Sequence, residues 1–466
     1  MAIIDEEGRI FGTVNVIDAL VVLFVLAVVV AGAAFVLSDD PVEEPDLETT
    51  YATLDLGTQP EYVASNINEG DSYSPADDSS LTITDLHLAP DGGETRVIAR
   101  VELTGEASGD RPEYAGAPPR LGRSLEVQTD RYAVSGSIRH VSDDPELDGD
   151  AVPVVVRATL SASEARNIAP GDEIRHAGRT VATVEDRAAY AGSNPSERDV
   201  FLALDVDSYL EGDDRRLGRT PLREGQRLTL PGDGYTIDGQ LERVGGDLER
   251  TSADVVVSDT VDAETAERIA TGDASRVAGD TVGAVESVSI YGTSNPDRKR
   301  VVAGLSLTAV GYGEQPRFGA AHVQRGTDLT FETDDYRLTG PIERVGALEE
   351  RGTPTQRTVT LTMTEIDAAV ADSIRAGMTE RAGGETVATV TAVEDEPSEI
   401  VVTTDDGDVR VVEHPRDRDV TITAELSVRE TADGVRFKGE SIRIGQDVTL
   451  DLGEITVEPT VVRIER

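Results

Sequence analysis

GTDLTFETDDYRLTGPIER, residues 326–344, decides the fold, because its landmarks recur three more times in the same register. The stretch opens on Gly326, with counterparts Gly122, Gly225 and Gly445. Three residues on stands an apolar side chain (Leu125, Leu228, Leu329, Val448), and ten residues on a large one (Tyr132, Tyr235, Tyr336, Ile455). At +14 come Gly136, Gly239, Gly340 or Pro459, and at +18 a basic residue (His140, Arg243, Arg344, Arg463). Upstream, Gly70, Gly171 and Gly272 lie 101 residues apart, and Gly377 follows after 105. Independent stretches do not hold such a register by chance, so the chain contains four tandem units, 51–144, 152–247, 253–348 and 357–466. In the last unit the two marker glycines are 68 apart instead of 54, an insertion expected to lengthen a hairpin near Asp405-Asp406-Gly407-Asp408.

Within the third unit, Asp254-Val255-Val256-Val257 reads as a strand. Asp262 is placed to cap a two-turn helix reaching Ala270 and stopped at Thr271-Gly272. Ser161 and Glu164 form a capping-box pattern at the same place in the second unit. An isoleucine precedes each first glycine by three (Ile67, Ile168, Ile269, Ile374), which gives the helix an apolar side to pin on a sheet. Short β-type runs follow at Thr281–Tyr291, Lys299–Tyr312, Thr327–Thr333 and Tyr336–Val345. These features predict a mainly β chain with short helices (α+β): one N-terminal transmembrane helix, then four tandem small β-barrel-like or sandwich repeats.

The span is read from Ala19–Leu37, nineteen uncharged apolar or small residues, or ~28 Å of helix. A cleaved signal peptide ending near Ala31-Gly32-Ala33 is the competing reading; Asp5, Glu6 and Glu7 outweigh Arg9 and oppose it. Arg9 then puts residues 1–18 in the cytoplasm and the repeats outside, a single-pass protein of the cell membrane. Residues 38–50, with six acids and two prolines, read as an extended acidic spacer.

The charge is -46, from 89 acids against 43 bases, and only Lys299 and Lys438 among those bases are lysines. Aromatics make up 4% and tryptophan is absent. Acids spread over every unit, with so few lysines, mark a surface adapted to high salt and argue against nucleic acid as a partner. The absence of cysteine removes disulfides and thiolate metal sites.

Ile4-Asp5-Glu6-Glu7-Gly8-Arg9, followed by Phe11-Gly12 and Asn15-Val16-Ile17-Asp18, resembles the opening of a membrane-anchored family, domain of unknown function 4330. That family's typical plan is one helix and one β-rich domain, and the "G-x-x-L-x-x-x-x-x-x-Y-x-x-x-G" ending of this domain recurs here in tandem. The resemblance carries no catalytic residues. A second one is to mammalian-cell-entry domains, on Gly171, Ile174, Gly178, Val181, Ala182 and Val184, repeated at Gly279, Val282, Gly283 and Val285 and in part at Gly384, Val387 and Val390. It implies β-barrels that stack as rings and carry lipid between membranes.

No motif points to catalysis. The five histidines, His87, His140, His176, His322 and His414, show no metal-ligand spacing and read as exposed polar residues. Nucleophile elbow, phosphate loop and dinucleotide fingerprint are all missing. No catalytic, cofactor-binding or metal residue is expected, and no enzyme. Tyr190 with Ser193-Asn194-Pro195 and Tyr291 with Ser294-Asn295-Pro296 read as hairpin tips, or as recognition loops. The candidate surface is an apolar loop position eight residues before each closing glycine: Tyr114, Leu217, Phe318 and Phe437. Each is either a plug for the end of its barrel or part of a ligand-binding or pore-lining surface. The expected role is a non-enzymatic envelope or cell-surface scaffold or binding protein, attached to the membrane through one helix. A homo-oligomeric conduit or carrier for lipid or another apolar solute is the alternative, and the sequence names no ligand.

Overall fold

The structure, a computed structural model, describes residues 9–10, 14–15, 21–30, 46–108, 111–311, 315–382, 385–403 and 409–465. The described residues fall into two compact units: those of Met1–Asp55, Asn68–Asp85 and Ala99–Pro145, and those of Leu56–Ile67, Leu86–Ile98 and Glu146–Arg466.

The chain is mainly β, with barrel-like sheets and few helices. The expected transmembrane helix over Ala19–Leu37 needs correction. The helix described there covers residues 21–30, which at 1.5 Å per residue is ~15 Å, half a hydrocarbon core. Ala19, Leu20 and residues 31–37 lie outside the described residues, and among those described no helix is long and apolar enough to cross a membrane.

Each repeat follows one antiparallel plan, clearest in the third. The order across its sheet is Ala274–Val277, Asp280–Gly292, Arg298–Val310, Arg250–Asp262, Arg337–Val345, Asp328–Glu332, and the other three repeats have the same order, the fourth as far as Thr460–Ile464. In the first three repeats the short strand at one end of this order also touches the short strand from the other end, and in the fourth Thr379–Ala382 touches Leu450–Asp451, which forms a separate two-stranded ladder with Thr456–Val457. The sheet therefore curls toward a barrel and hides its edges. Register shifts supply the bend: pairing skips a residue at Val184/Asp186, Val285/Ser287 and Val390/Ala392, and an unpaired residue kinks and twists its strand. The fourth repeat has the longest strands, Glu385–Thr403 and Val409–Thr431, paired up to Thr403 and Val409. Asp405 to Asp408 lie outside the described residues.

The marker glycines are clamps. Gly70, Gly171, Gly272 and Gly377 have φ between +84° and +95°, a conformation that costs any residue with a Cβ. Their N–H groups donate to the carbonyls of Ile83, Val184, Val285 and Val390 at 2.7–2.8 Å. The second set does the same: Gly122, Gly225, Gly326 and Gly445 donate to Ile138, Leu241, Ile342 and Val461. Two of the +14 glycines answer to crowding instead, since a Cβ on Gly239 would sit 2.5 Å from Val156 Cγ1, and one on Gly340 1.9 Å from the Ser258 carbonyl oxygen.

Shortly before the first glycine of each repeat lies a helix of four to six residues that buries one alanine: Ala64, Ala165, Ala266 or Ala371. Ser161 and Glu164 make the reciprocal capping box, and Asp262 accepts from Thr265 N–H at 2.7 Å. Ile67, Ile168, Ile269 and Ile374 are all buried.

The large residue at +10 has a partner in the residue after the first glycine. Tyr132 donates to Asp71 at 2.6 Å and Tyr336 to Asp273 at 2.8 Å. Each of these aspartates also accepts a backbone N–H at 2.8 Å, from Asn68 and Ala270. Burial first, and then the hydrogen bond to aspartate, pushes both tyrosine hydroxyls well above the usual range. In the fourth repeat both members have changed: Met378 replaces the aspartate, Ile455 replaces the tyrosine, and both pack on that repeat's apolar core. Asp273→Ala is expected to cost about 1–3 kcal/mol by stranding the Tyr336 hydroxyl and the Ala270 N–H. The double change Asp273→Met with Tyr336→Ile should recover part of that loss in urea unfolding, and equal losses would break the link between the two positions.

Candidate functional site at the seams between repeats

The four candidate loop residues are buried, with Tyr114, Leu217, Phe318 and Phe437 at 2%, 4%, 3% and 2% exposure. Tyr114 belongs to the first compact unit, where the Arg123 guanidinium lies 5.9 Å from its ring centre. Its hydroxyl is buried without a hydrogen-bond partner among the described residues. Burial, followed by the nearby Tyr73, pushes it up to about 12.

The other three, all in the second unit, begin tight turns that land on the preceding repeat. After Leu217, the Gly218 N–H donates to His87 Nε2 at 3.1 Å. That acceptor role leaves the ring proton on Nδ1, which faces Asp207 Oδ2 at 3.1 Å, and Tyr209 stacks obliquely at 4.9 Å. A Cβ on Gly218 would meet the Ala89 Cβ at 2.7 Å. Phe318 packs edge-on against Tyr190, centroids 4.8 Å apart, and the Tyr190 hydroxyl donates to the Thr308 carbonyl at 3.0 Å. The following Ala320 N–H donates to Asp199 at 3.2 Å. Tyr190 thus stands in a seam, and in the tips that follow Tyr190 and Tyr291 the side chains of Asn194 and Asn295 accept from the N–H groups of Ser196 and Asp297 in tight turns. After Phe437, Lys438 and Gly439 bring the turn against Arg300 of the third repeat.

Ion pairs flank the seams. Arg198 of the second repeat and Arg337 of the third share Glu332, and Arg187 reaches Asp280 at 3.0 Å. Arg250 grips Asp186 through two bonds of 2.6 and 2.9 Å, and this contact first, against the effect of burial, holds the Asp186 carboxyl below its usual range.

Both lysines of the chain meet at the seam between the third and fourth repeats. Lys299 pairs with Asp451 at 2.5 Å, across the seam. Lys438 pairs with Glu380 and also donates to the Thr449 carbonyl at 2.7 Å. Glu380 accepts further from the Gly292 N–H, across the seam, and from the Asp451 N–H, both at 3.3 Å. Glu380 is 1% exposed and the Lys438 side chain 9%. Burial raises the Glu380 carboxyl and lowers the Lys438 ammonium, each partly offset by the other's charge. Burial also pushes the Asp451 carboxyl up, but Lys299 outweighs it and holds that group below its usual range. A compact ammonium fits this enclosed spot, where a guanidinium plane would need more room.

Glu380 is not apparent from repeat comparison, because its counterparts are Ile174 and Ser275. The usable signal was the rarity of lysine. The expectation of exposed histidines is corrected for two: His87 and His176 are buried, and each has a polar partner, His176 through Thr95 at 2.9 Å. Among the described residues no group of three or more potential ligands could hold a metal ion.

No curated protein and no solved structure matches the chain. The resemblance to mammalian-cell-entry domains is not confirmed by these comparisons. Over residues 1–91 and 348–465, on either side of the second and third repeats, the chain matches the family described as Domain of unknown function (DUF4330).

Proposed function

We propose that this chain is a non-enzymatic scaffold or binding protein in which the second, third and fourth β repeats are locked end to end into a stiff element. One observation carries the reading: a single apolar core runs without interruption from Ala89 through the second repeat to Phe331 and Leu338 of the third. Apolar surface shared in this way resists bending at the seam, since opening it would expose Tyr190, Phe318 and their neighbours to water at ~25 cal/mol per Å². The turns after Leu217, Phe318 and Phe437 repeat the same junction, which suits a structural part more than a single reaction centre. The acidic surface would keep such an element soluble and monomeric at high salt.

Light scattering of the full chain in multimolar salt tests this against the conduit reading. A particle of one 49.6 kDa chain is expected, together with one cooperative unfolding transition for the second to fourth repeats. A closed ring of several chains, or separate transitions for each repeat, would overturn the stiff-element reading.

A further inference from the structure

A cavity of about 380 Å³ opens where the third and fourth repeats meet, and five arginines line it: Arg300, Arg325, Arg344, Arg351 and Arg436. Two acids, Glu343 and Glu350, share the lining. In a chain with twice as many acids as bases, this local excess of positive charge reverses the general trend.

The two acids are engaged by hydroxyl groups, Glu343 by Ser258 at 3.0 Å and Glu350 by Tyr291 at 2.5 Å. Arg300 and Arg351 pair with Glu440 and Asp433, carboxylates that are mostly exposed. Arg325, Arg344 and Arg436 have no carboxylate at ion-pair distance among the described residues. Two of these three are steered by backbone carbonyls, Arg344 by Glu349 at 2.5 Å and Arg436 by Gly439. Such bonds orient a guanidinium without neutralising it. Val256 and Val302 add apolar surface to the same cavity.

We propose that this cavity binds a small, multiply charged oxyanion, a phosphate-bearing or polycarboxylate molecule. Guanidinium forks match both groups in two-pronged hydrogen bonding. Contact pairs inside a partly enclosed cavity survive salt that screens exposed charges, which suits a protein with a salt-adapted surface.

The test is calorimetric titration of the full chain with inorganic phosphate, pyrophosphate and citrate, in potassium chloride at constant ionic strength. Saturable binding of at least one is expected, and the preference among the three separates phosphate from carboxylate chemistry. Arg325→Gln with Arg344→Gln should weaken binding roughly tenfold or more. Arg227→Gln, which removes a pair with Asp238 away from the cavity, should leave it unchanged. Should the double variant fold poorly, Arg325→Glu alone serves, because Arg325 is exposed, and it should weaken binding in the same sense. No saturable binding of any of the three anions, or equal binding by wild type and the cavity variants, would overturn the proposal.

Discussion

Glu380→Ala is expected to destabilise the second compact unit by about 3–5 kcal/mol, read as a lower denaturant midpoint with an unchanged slope. The substitution strands the Lys438 ammonium, of which only 9% is exposed, with the Thr449 carbonyl as its remaining hydrogen-bond acceptor. It also removes the acceptor of the Gly292 and Asp451 N–H groups. Most of the loss reflects the isolated charge, so Glu380→Leu with Lys438→Met should be far milder than either single change. High salt should not rescue Glu380→Ala, because an enclosed charge is poorly screened. A loss below ~1 kcal/mol would place the pair with ordinary surface ion pairs, and the seam would then need another explanation.

Gly340→Ala should cost about 3 kcal/mol or more, in the range of severe overpacking. A methyl group there would lie 1.9 Å from the Ser258 carbonyl oxygen and 2.9 Å from its carbon. Both are backbone atoms of the central strand, so no side chain can swing aside. Gly272→Ala is the comparison. Its φ is +95°, yet a Cβ there meets nothing within 4 Å, so it should cost only the ~1–2 kcal/mol of the left-handed conformation. Thermal melts of the two variants give the order directly. If Gly340→Ala proved the milder, the close crossing of the two strands would be wrong.

Gly272 and Gly340 mark what is legible in the sequence itself. Both recur in register because backbone geometry and close approach each demand glycine, and that demand repeats with the barrel. The third repeat's strands were legible for the same reason: the run Thr281–Tyr291 lies within Asp280–Gly292, and the run Tyr336–Val345 within one residue of Arg337–Val345. Phe318 stood out by recurrence, but its partner Tyr190 lies in another repeat, and spacing within a unit says nothing about contacts between units. Glu380 was hidden by comparison itself, since its position holds Ile174 and Ser275 elsewhere. Hydropathy misled at the N-terminus, where a count of apolar residues gave the length of a span while the helix described there covers residues 21–30.

The two lysines give the molecule an unusual chemical blank. Apart from any terminal amine, the only primary amines of the chain are at Lys299 and Lys438, held by Asp451 and Glu380 with 24% and 9% of their side chains exposed. An acylating reagent added to the native protein therefore meets almost no free amine on the outside. Its slow uptake at these two positions would clock the opening of the last seam, residue by residue, without any engineered probe.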